Sequence, residues 1–167
     1  MQKLIILLVA VTLVLSCQQH NAKSTFDHEL VRKEAILMLH QYHDAIAEGG
    51  LMAEFDYLDS SDDFFWVPPG YQSALNYDSV RSIIEQNSQQ FSQVTFSWDT
   101  LDIKPLHYSL ASFTGIVSGI MIDTAATRTH IRIIESGTLI KRADGWKLLN
   151  GQSSLLNDVE NTANLPD

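Results

Sequence analysis

The sequence has few of the residues that build several common kinds of site. It contains one cysteine in 167 residues, which excludes an internal disulfide and a metal site made of several thiolates. Its 11 Lys and Arg residues face 20 Asp and Glu residues, and the net charge of −9 disfavours sequence-independent binding of nucleic acid. Hydrophobic residues make up 45% of the chain, so the composition predicts a small acidic globular domain.

The N-terminus has the pattern of an export signal over residues 1–16. Its apolar run, residues 4–15, is too short for a permanent membrane span. Val-Leu-Ser directly before Cys17 resembles the lipobox of bacterial lipoproteins, which implies that Cys17 is acylated and anchors the protein in the cell envelope. Gln18, where Asp would signal inner-membrane retention, favours the outer membrane, and residues 17–25 form a polar tether. The alternative is an ordinary signal peptide that is cleaved elsewhere.

Three helices are predicted in the first half of the chain. An apolar stripe at helical spacing indicates the first helix, with Ser24 or Thr25 as its cap and Gly49-Gly50 as its end. The stripe consists of Val31, Ala35, Met38, Tyr42 and Ile46. A second, short helix is predicted over about 51–58, and a third from a cap at Asn76 or Asp78 to about Gln90.

After residue 90 the hydrophobic period changes to two, which predicts strands. The predicted strands cover residues 94–98, 108–122, 127–141 and 146–155, after an earlier short strand at 64–67. Short turns join the last three, so we expect an antiparallel sheet with the helices on one face. Strands of this length require bulges or strong curvature. The predicted fold is therefore α+β, with three N-terminal helices packed on a strongly curved sheet that encloses a cone.

Four local patterns in this order resemble the NTF2-like superfamily, with its cystatin-like α+β fold, and above all its SnoaL-like and DUF4440-type branches. The patterns are Tyr42–Gly49, Tyr57–Phe64, Leu139–Leu148 and Asn150–Ser154. The resemblance implies one domain over residues 26–157 and a polar tail over 158–167. Ketosteroid isomerases, polyketide cyclases and dehydratases belong to this superfamily, as do members with no known activity, so the fold does not settle the function.

The resemblance allows a comparison with the catalytic residues of ketosteroid isomerases, which are a tyrosine of the first helix, an acid donor and a separate base. Tyr42 matches the tyrosine, but Pro68 stands where the base belongs and Gly137 where the acid donor belongs. Glu135 is two residues from that position, and a bulge could bring it into the site. Tyr42 and Glu135 are thus weak catalytic candidates, and the sequence favours ligand binding without catalysis.

Aromatic and amide side chains form the predicted ligand site. Alternation along the last strand places Asn150 and Gln152 on the same inner face as Trp146, where the amides either orient a ligand or pair with each other or with nearby backbone. A helix tyrosine would lie at the floor and two further aromatics beside Pro68-Pro69-Gly70 at the rim. The predicted ligand-binding residues are Tyr42, Trp66, Tyr71, Trp146, Asn150 and Gln152.

Two histidine patterns give no metal site. His40 and His43 have a spacing that suits metal ligands, but no third ligand accompanies them, so a solvated helix face is favoured and no metal or other cofactor is predicted. His130 and Arg132 are predicted to point outward from the sheet. Members of the superfamily commonly dimerise through that outer face, which implies a homodimer.

Three hypotheses for the function follow. The leading one is a lipid-anchored envelope protein that binds a small, largely apolar molecule in its cone. The second is an isomerase, cyclase or dehydratase that uses Tyr42 with an acid such as Glu135. The third is a dimeric protein–protein interaction module.

Overall fold

The computed structural model describes residues 26–156. The predicted signal peptide, the lipidation of Cys17, the tether and the C-terminal tail lie outside these residues and stay predictions. Within the described part, no helix is both long enough and apolar enough to cross a membrane.

Two α-helices and one short 3-10 helix cover one side of the molecule. Helix α1, His28–Gly49, begins at Asp27, whose carboxylate accepts hydrogen bonds from two backbone N–H groups of the first turn. The cap is therefore Asp27 and not Ser24 or Thr25, because its side chain reaches the N–H groups that the helix leaves unpaired. The helix ends as predicted at Gly50, where φ is 75°.

The 3-10 helix follows directly over Leu51–Asp56, and helix α2 covers Tyr77–Ser88. Asn76 caps α2 by accepting a hydrogen bond from the N–H of Ser79. Both elements confirm the helices predicted for these regions, although the second is a tighter 3-10 helix.

Five strands form one sheet with the order β1-β5-β4-β3-β2. They are β1 Phe65–Val67, β2 Phe91–His107, β3 Leu110–Asp123, β4 Arg128–Arg142 and β5 Gly145–Leu155. The four long strands are antiparallel as predicted, whereas β1 runs parallel to β5. No tight turn joins β1 to β5, since residues 68–144 separate them, so nothing forces an antiparallel pairing there.

Register shifts interrupt the long strands and allow the sheet to curve. The β2–β3 pairing shifts at three places, the second between Trp98 and Thr100. The β4–β5 pairing shifts once: Asn150 pairs with Thr138 and Leu148 with Leu139, which leaves Leu149 as an extra residue. A bulge of this kind bends its strand and changes which side chains point inward beyond it.

The hydrophobic core lies between α1 and the inner face of the sheet. Four of the five predicted stripe residues on α1 are buried, and Tyr42 is half-buried. The most completely buried large side chains are Leu39, Ile46, Ile103, Val117 and Leu139. Burial of one such side chain contributes about 1.5–3 kcal/mol, so this contact fixes the helix against the sheet.

Candidate functional site

A cavity of about 340 Å³ lies beside this core, between the helices and the inner face of the sheet. Its apolar wall comes from α1, the 3-10 helix, α2 and all five strands. Glycines help to shape that wall: a methyl group at Gly151 would come within 2.5 Å of the Trp66 ring, and one at Gly119 within 2.8 Å of the Phe96 ring. The absence of side chains at these two positions lets both rings lie against the strands and line the cavity.

Tyr42 and Glu54 meet at this cavity from two successive elements. Gly50 ends α1 and the 3-10 helix turns back, so that the Tyr42 hydroxyl donates a hydrogen bond of 3.0 Å to Oε2 of Glu54. Burial raises the pKa of Glu54 to about 7, and the hydrogen bond from Tyr42 opposes this shift. Burial, followed by the charges of Glu54 and Glu135, raises the pKa of Tyr42 well above 10. The phenol therefore stays protonated and acts as a donor.

Glu135 faces the same cavity from strand β4. Its cross-strand neighbour on β5 is Ser153, which hydrogen-bonds the Glu135 carboxyl. The Ser153 hydroxyl also accepts a hydrogen bond of 3.0 Å from Nε1 of Trp66. Burial, followed by the charge of Glu54, raises the pKa of Glu135 to about 7, and the bond with Ser153 acts in the opposite direction. Two carboxyl groups that titrate near neutral pH thus share one apolar cavity.

Glu135 reaches the cavity without a bulge at its own position. Side chains two residues apart on a strand point to the same face, so Glu135 and Gly137 are both on the inner face. The bulge that the sequence analysis allowed for at this position is therefore not required. Pro68, which stands where a base was sought, does line the cavity.

Glu54 was missed by the sequence analysis. A signal existed, because Glu54 lies three residues after Leu51 and four before Leu58, on the apolar side of the predicted second helix. A carboxyl group on an apolar face is either paired or placed at a site. The 3-10 helix and the residues directly after it bring Leu51, Glu54 and Leu58 to the cavity together.

The structure places the predicted aromatic residues in different parts of the molecule. Trp66 lines the cavity, but Tyr71 is 47% exposed and does not line it. Trp146 is buried elsewhere, where its Nε1 donates a hydrogen bond of 2.9 Å to Glu34. Trp146 is thus a core residue in this structure.

The predicted inner position of Asn150 and Gln152 was wrong. The extra residue Leu149 changes the phase of β5, so that the inner positions after Leu148 are occupied by Gly151 and Ser153. Gln152 is exposed, and neither amide lines the cavity. The hydroxyl of Ser153 takes the place that the alternation had assigned to them.

His43 is buried, contrary to the predicted solvated helix face, because it packs against β2 and stacks on Trp98 with ring centroids 4.9 Å apart. Burial lowers its pKa to about 4, and its Nδ1 has no hydrogen-bond partner within the described residues. His40 is exposed as predicted. Residues 26–156 contain no group of three or more His, Cys, Asp or Glu side chains placed to hold a metal ion.

On the outer face, His130 and Arg132 are exposed, which confirms their predicted orientation. Arg132 forms an ion pair of 3.3 Å with Asp99 there, and the Ser118 hydroxyl donates to the same carboxylate. Ile134 is 42% exposed on the same face.

Comparison with known proteins identifies the family. The family model described as a SnoaL-like domain matches residues 37–158. The chain belongs to the SnoaL-like family. No curated protein matches this SnoaL-like chain in sequence.

Solved structures of NTF2-like proteins share the fold. An NTF2-like superfamily protein from Salmonella enterica has a TM-score of 0.67 at 13% identity, covering 82% of this chain and 99% of that one. A proposed NTF2-like dehydratase from Streptomyces avermitilis has a TM-score of 0.66 at 13% identity and covers 77% and 98%. A proposed scytalone dehydratase from Novosphingobium aromaticivorans has a TM-score of 0.65 at 13% identity and covers 75% and 83%. Similarities at identities this low show a common fold, but they do not show a common activity.

Proposed function

We propose that this SnoaL-like protein is an acid–base enzyme that removes a proton from carbon in a small, largely apolar substrate, in an elimination or an isomerisation. One observation carries the proposal: Glu54 and Glu135, each with a pKa near 7, line the same apolar cavity. A carboxyl with such a pKa can serve as a general acid or base at neutral pH. Two coupled carboxyls divide these roles, because the ionisation of one opposes that of the other.

Both carboxyls accept a hydrogen bond from a hydroxyl, and the effect of the Glu54 charge on Glu135 separates their roles. The Tyr42 hydroxyl donates to Glu54, and this bond stabilises the ionised form, so Glu54 is the proposed base. The charge of Glu54 raises the pKa of Glu135, so Glu135 keeps its proton and is the proposed acid. Tyr42 positions the base, and Ser153 orients the acid.

This proposal replaces the preference for a binding protein without catalysis. That preference rested on the absence of an acid or base at the positions matched to Pro68 and Gly137. Glu54 and Glu135 supply two carboxyls from other positions, which removes its premise. The names of the two dehydratase neighbours describe eliminations, the class of reaction that such a pair suits.

A general probe for a desolvated carboxylate base tests the proposal. With 5-nitrobenzisoxazole, Glu54 would take the carbon-bound proton while the N–O bond breaks, and a coloured cyanophenolate leaves. We expect kcat/KM to rise with pH through about 7 as Glu54 ionises. We expect Glu54→Gln to lower it about 100-fold or more, the usual contribution of a positioned base.

Asp44→Asn is the matched control, since Asp44 is an exposed carboxylate on α1 next to His43. It should leave the rate unchanged. Quenching of tryptophan fluorescence, with Trp66 in the cavity wall, reports whether each variant still binds the probe. If wild type and Glu54→Gln bind the probe equally and convert it at equal rates, the proposal is wrong and the cavity only binds.

Two further parts of the proposal rest on sequence and surface alone: acylation of Cys17 in the cell envelope, and a homodimer through the outer face. The exposed Ile134 supports the second, because an uncovered apolar side chain on a sheet face suits a partner. Native mass spectrometry of the protein extracted from membranes tests both. An unmodified cysteine or a monomeric mass would contradict the respective part.

A further inference from the structure

Among the described residues, the cavity lining carries acidic side chains and no basic ones. Within residues 26–156, the ionisable side chains that line it are Tyr42, Glu54 and Glu135, and no Lys, Arg or His is among the lining residues. Within the described part of the chain, the two carboxyls receive hydrogen bonds from neutral hydroxyls, those of Tyr42 and Ser153. This arrangement differs from an ordinary buried ion pair, in which a cationic side chain compensates the carboxylate.

Four basic side chains on the cavity-forming elements have acidic partners of their own. These pairs are Arg142 with Asp59, Lys141 with Glu34, Lys147 with Asp144 and Arg81 with Glu85. Rotation of one of these side chains into the cavity would leave its own partner uncompensated. Within residues 26–156, none of these four side chains is thus left to compensate the two carboxyls, and a bound cation would supply the missing positive charge.

We propose that the cavity binds a small apolar molecule that carries one positive charge, such as a protonated primary amine, with its ammonium group paired to the carboxyls of Glu54 and Glu135. The aromatic walls suit such a ligand, since Trp66, Phe64 and Phe96 line the cavity and aromatic rings can attract a cation. The volume of about 340 Å³ holds roughly a dozen non-hydrogen atoms, because one water molecule occupies about 30 Å³.

The charge balance favours a single positive charge. Near neutral pH, two coupled carboxyls with pKa values of about 7 share about one proton and one negative charge. One ammonium group makes the occupied cavity neutral, while an anionic ligand would add a second negative charge in an apolar site. The overall charge of −9 also attracts cations toward the protein and repels anions.

Three probes with one frame test this ligand class: 2-aminoindane, 2-indanol and indane-2-carboxylate, titrated calorimetrically into the full protein at pH 7. We expect the amine to bind at least tenfold more tightly than the alcohol and the carboxylate to bind at least tenfold more weakly than the alcohol. In the Glu54→Gln/Glu135→Gln variant the amine should lose its tenfold advantage while the affinity for the alcohol changes less than twofold.

Equal affinities for amine and alcohol in wild type would overturn the inference, as would an amine preference that survives in the glutamine variant. The inference rests on the proposed function only in using the same cavity. The two fail separately, because turnover of the neutral 5-nitrobenzisoxazole without amine preference refutes this inference alone. Amine preference without turnover refutes the proposed catalysis alone.

Discussion

Acidic side chains lie next to apolar ones both near the β4–β5 turn and in the cavity. Their pKa values are shifted in opposite directions in the two regions. Near the turn, Arg142 binds the buried carboxylate of Asp59 through two hydrogen bonds, of 2.6 and 3.1 Å. The hydrogen bond from Arg142 lowers the pKa of Asp59. In the cavity, Glu54 and Glu135 have no cationic partner among residues 26–156, and both pKa values are raised to about 7, mainly by burial.

This difference separates a structural role from a functional one. A carboxylate whose pKa is lowered in the folded state stabilises the protein at neutral pH, whereas one whose pKa is raised destabilises it as it ionises. The pair of Arg142 and Asp59 therefore holds the β4–β5 hairpin to the segment after the 3-10 helix. The cavity pair lowers stability at the pH where it is most useful for proton transfer or for binding a cation.

The largest expected effect comes from removing the cavity pair. The stability that protonated Glu54 and Glu135 contribute is present below their unfolded pKa of 4.5 and lost as the pH rises through about 7. A shift of this size corresponds to roughly 3 kcal/mol for each carboxyl. In urea unfolding, Glu54→Gln/Glu135→Gln should match wild type near pH 4.5 and exceed it by several kcal/mol at pH 8. His43, whose pKa is lowered, is present in both proteins, so its contribution cancels in this difference.

Asp59→Asn is the control of opposite sign. Because its pKa is lowered, the stability from Asp59 is present above its unfolded pKa of 3.8 and lost as the pH falls through the folded value. Arg142 is 38% exposed, so we expect a loss of about 2 kcal/mol at pH 8, below the range for fully buried pairs. If the double glutamine variant gains no stability over wild type between pH 4.5 and 8, the contrast between the two regions is wrong.

Much of the fold could be predicted from the sequence because its signals are local. The apolar stripe of α1, the stop at Gly50 and the cap at Asn76 each depend on a few neighbouring residues. The parallel pairing of β1 with β5 could not be predicted in this way, since it depends on strands that are separated by residues 68–144.

The site was predicted less well because it depends on how distant elements meet. Tyr42 and Trp66 were identified as cavity residues, but the partner of Tyr42 lies 12 residues further along, beyond the reversal at Gly50. Asn150 and Gln152 were misplaced because one unpaired residue, Leu149, reverses the alternation on which their prediction depended. Nothing in residues 146–155 alone marks that bulge.

The smallest expected effect tests this bulge directly, by comparing Ser153→Ala with Gln152→Ala. Ser153 is 5% exposed and accepts the Trp66 N–H, so its loss leaves a donor unpaired at a cost of about 1–2 kcal/mol. It also removes the hydrogen bond that opposes the upward shift of the Glu135 pKa, which should therefore rise further. Gln152→Ala at an exposed position should change the free energy of unfolding by less than about 0.5 kcal/mol. Urea unfolding at pH 7 distinguishes the two, and a larger loss for Gln152→Ala would mean that β5 alternates without interruption and that the amides, not Ser153, face the cavity.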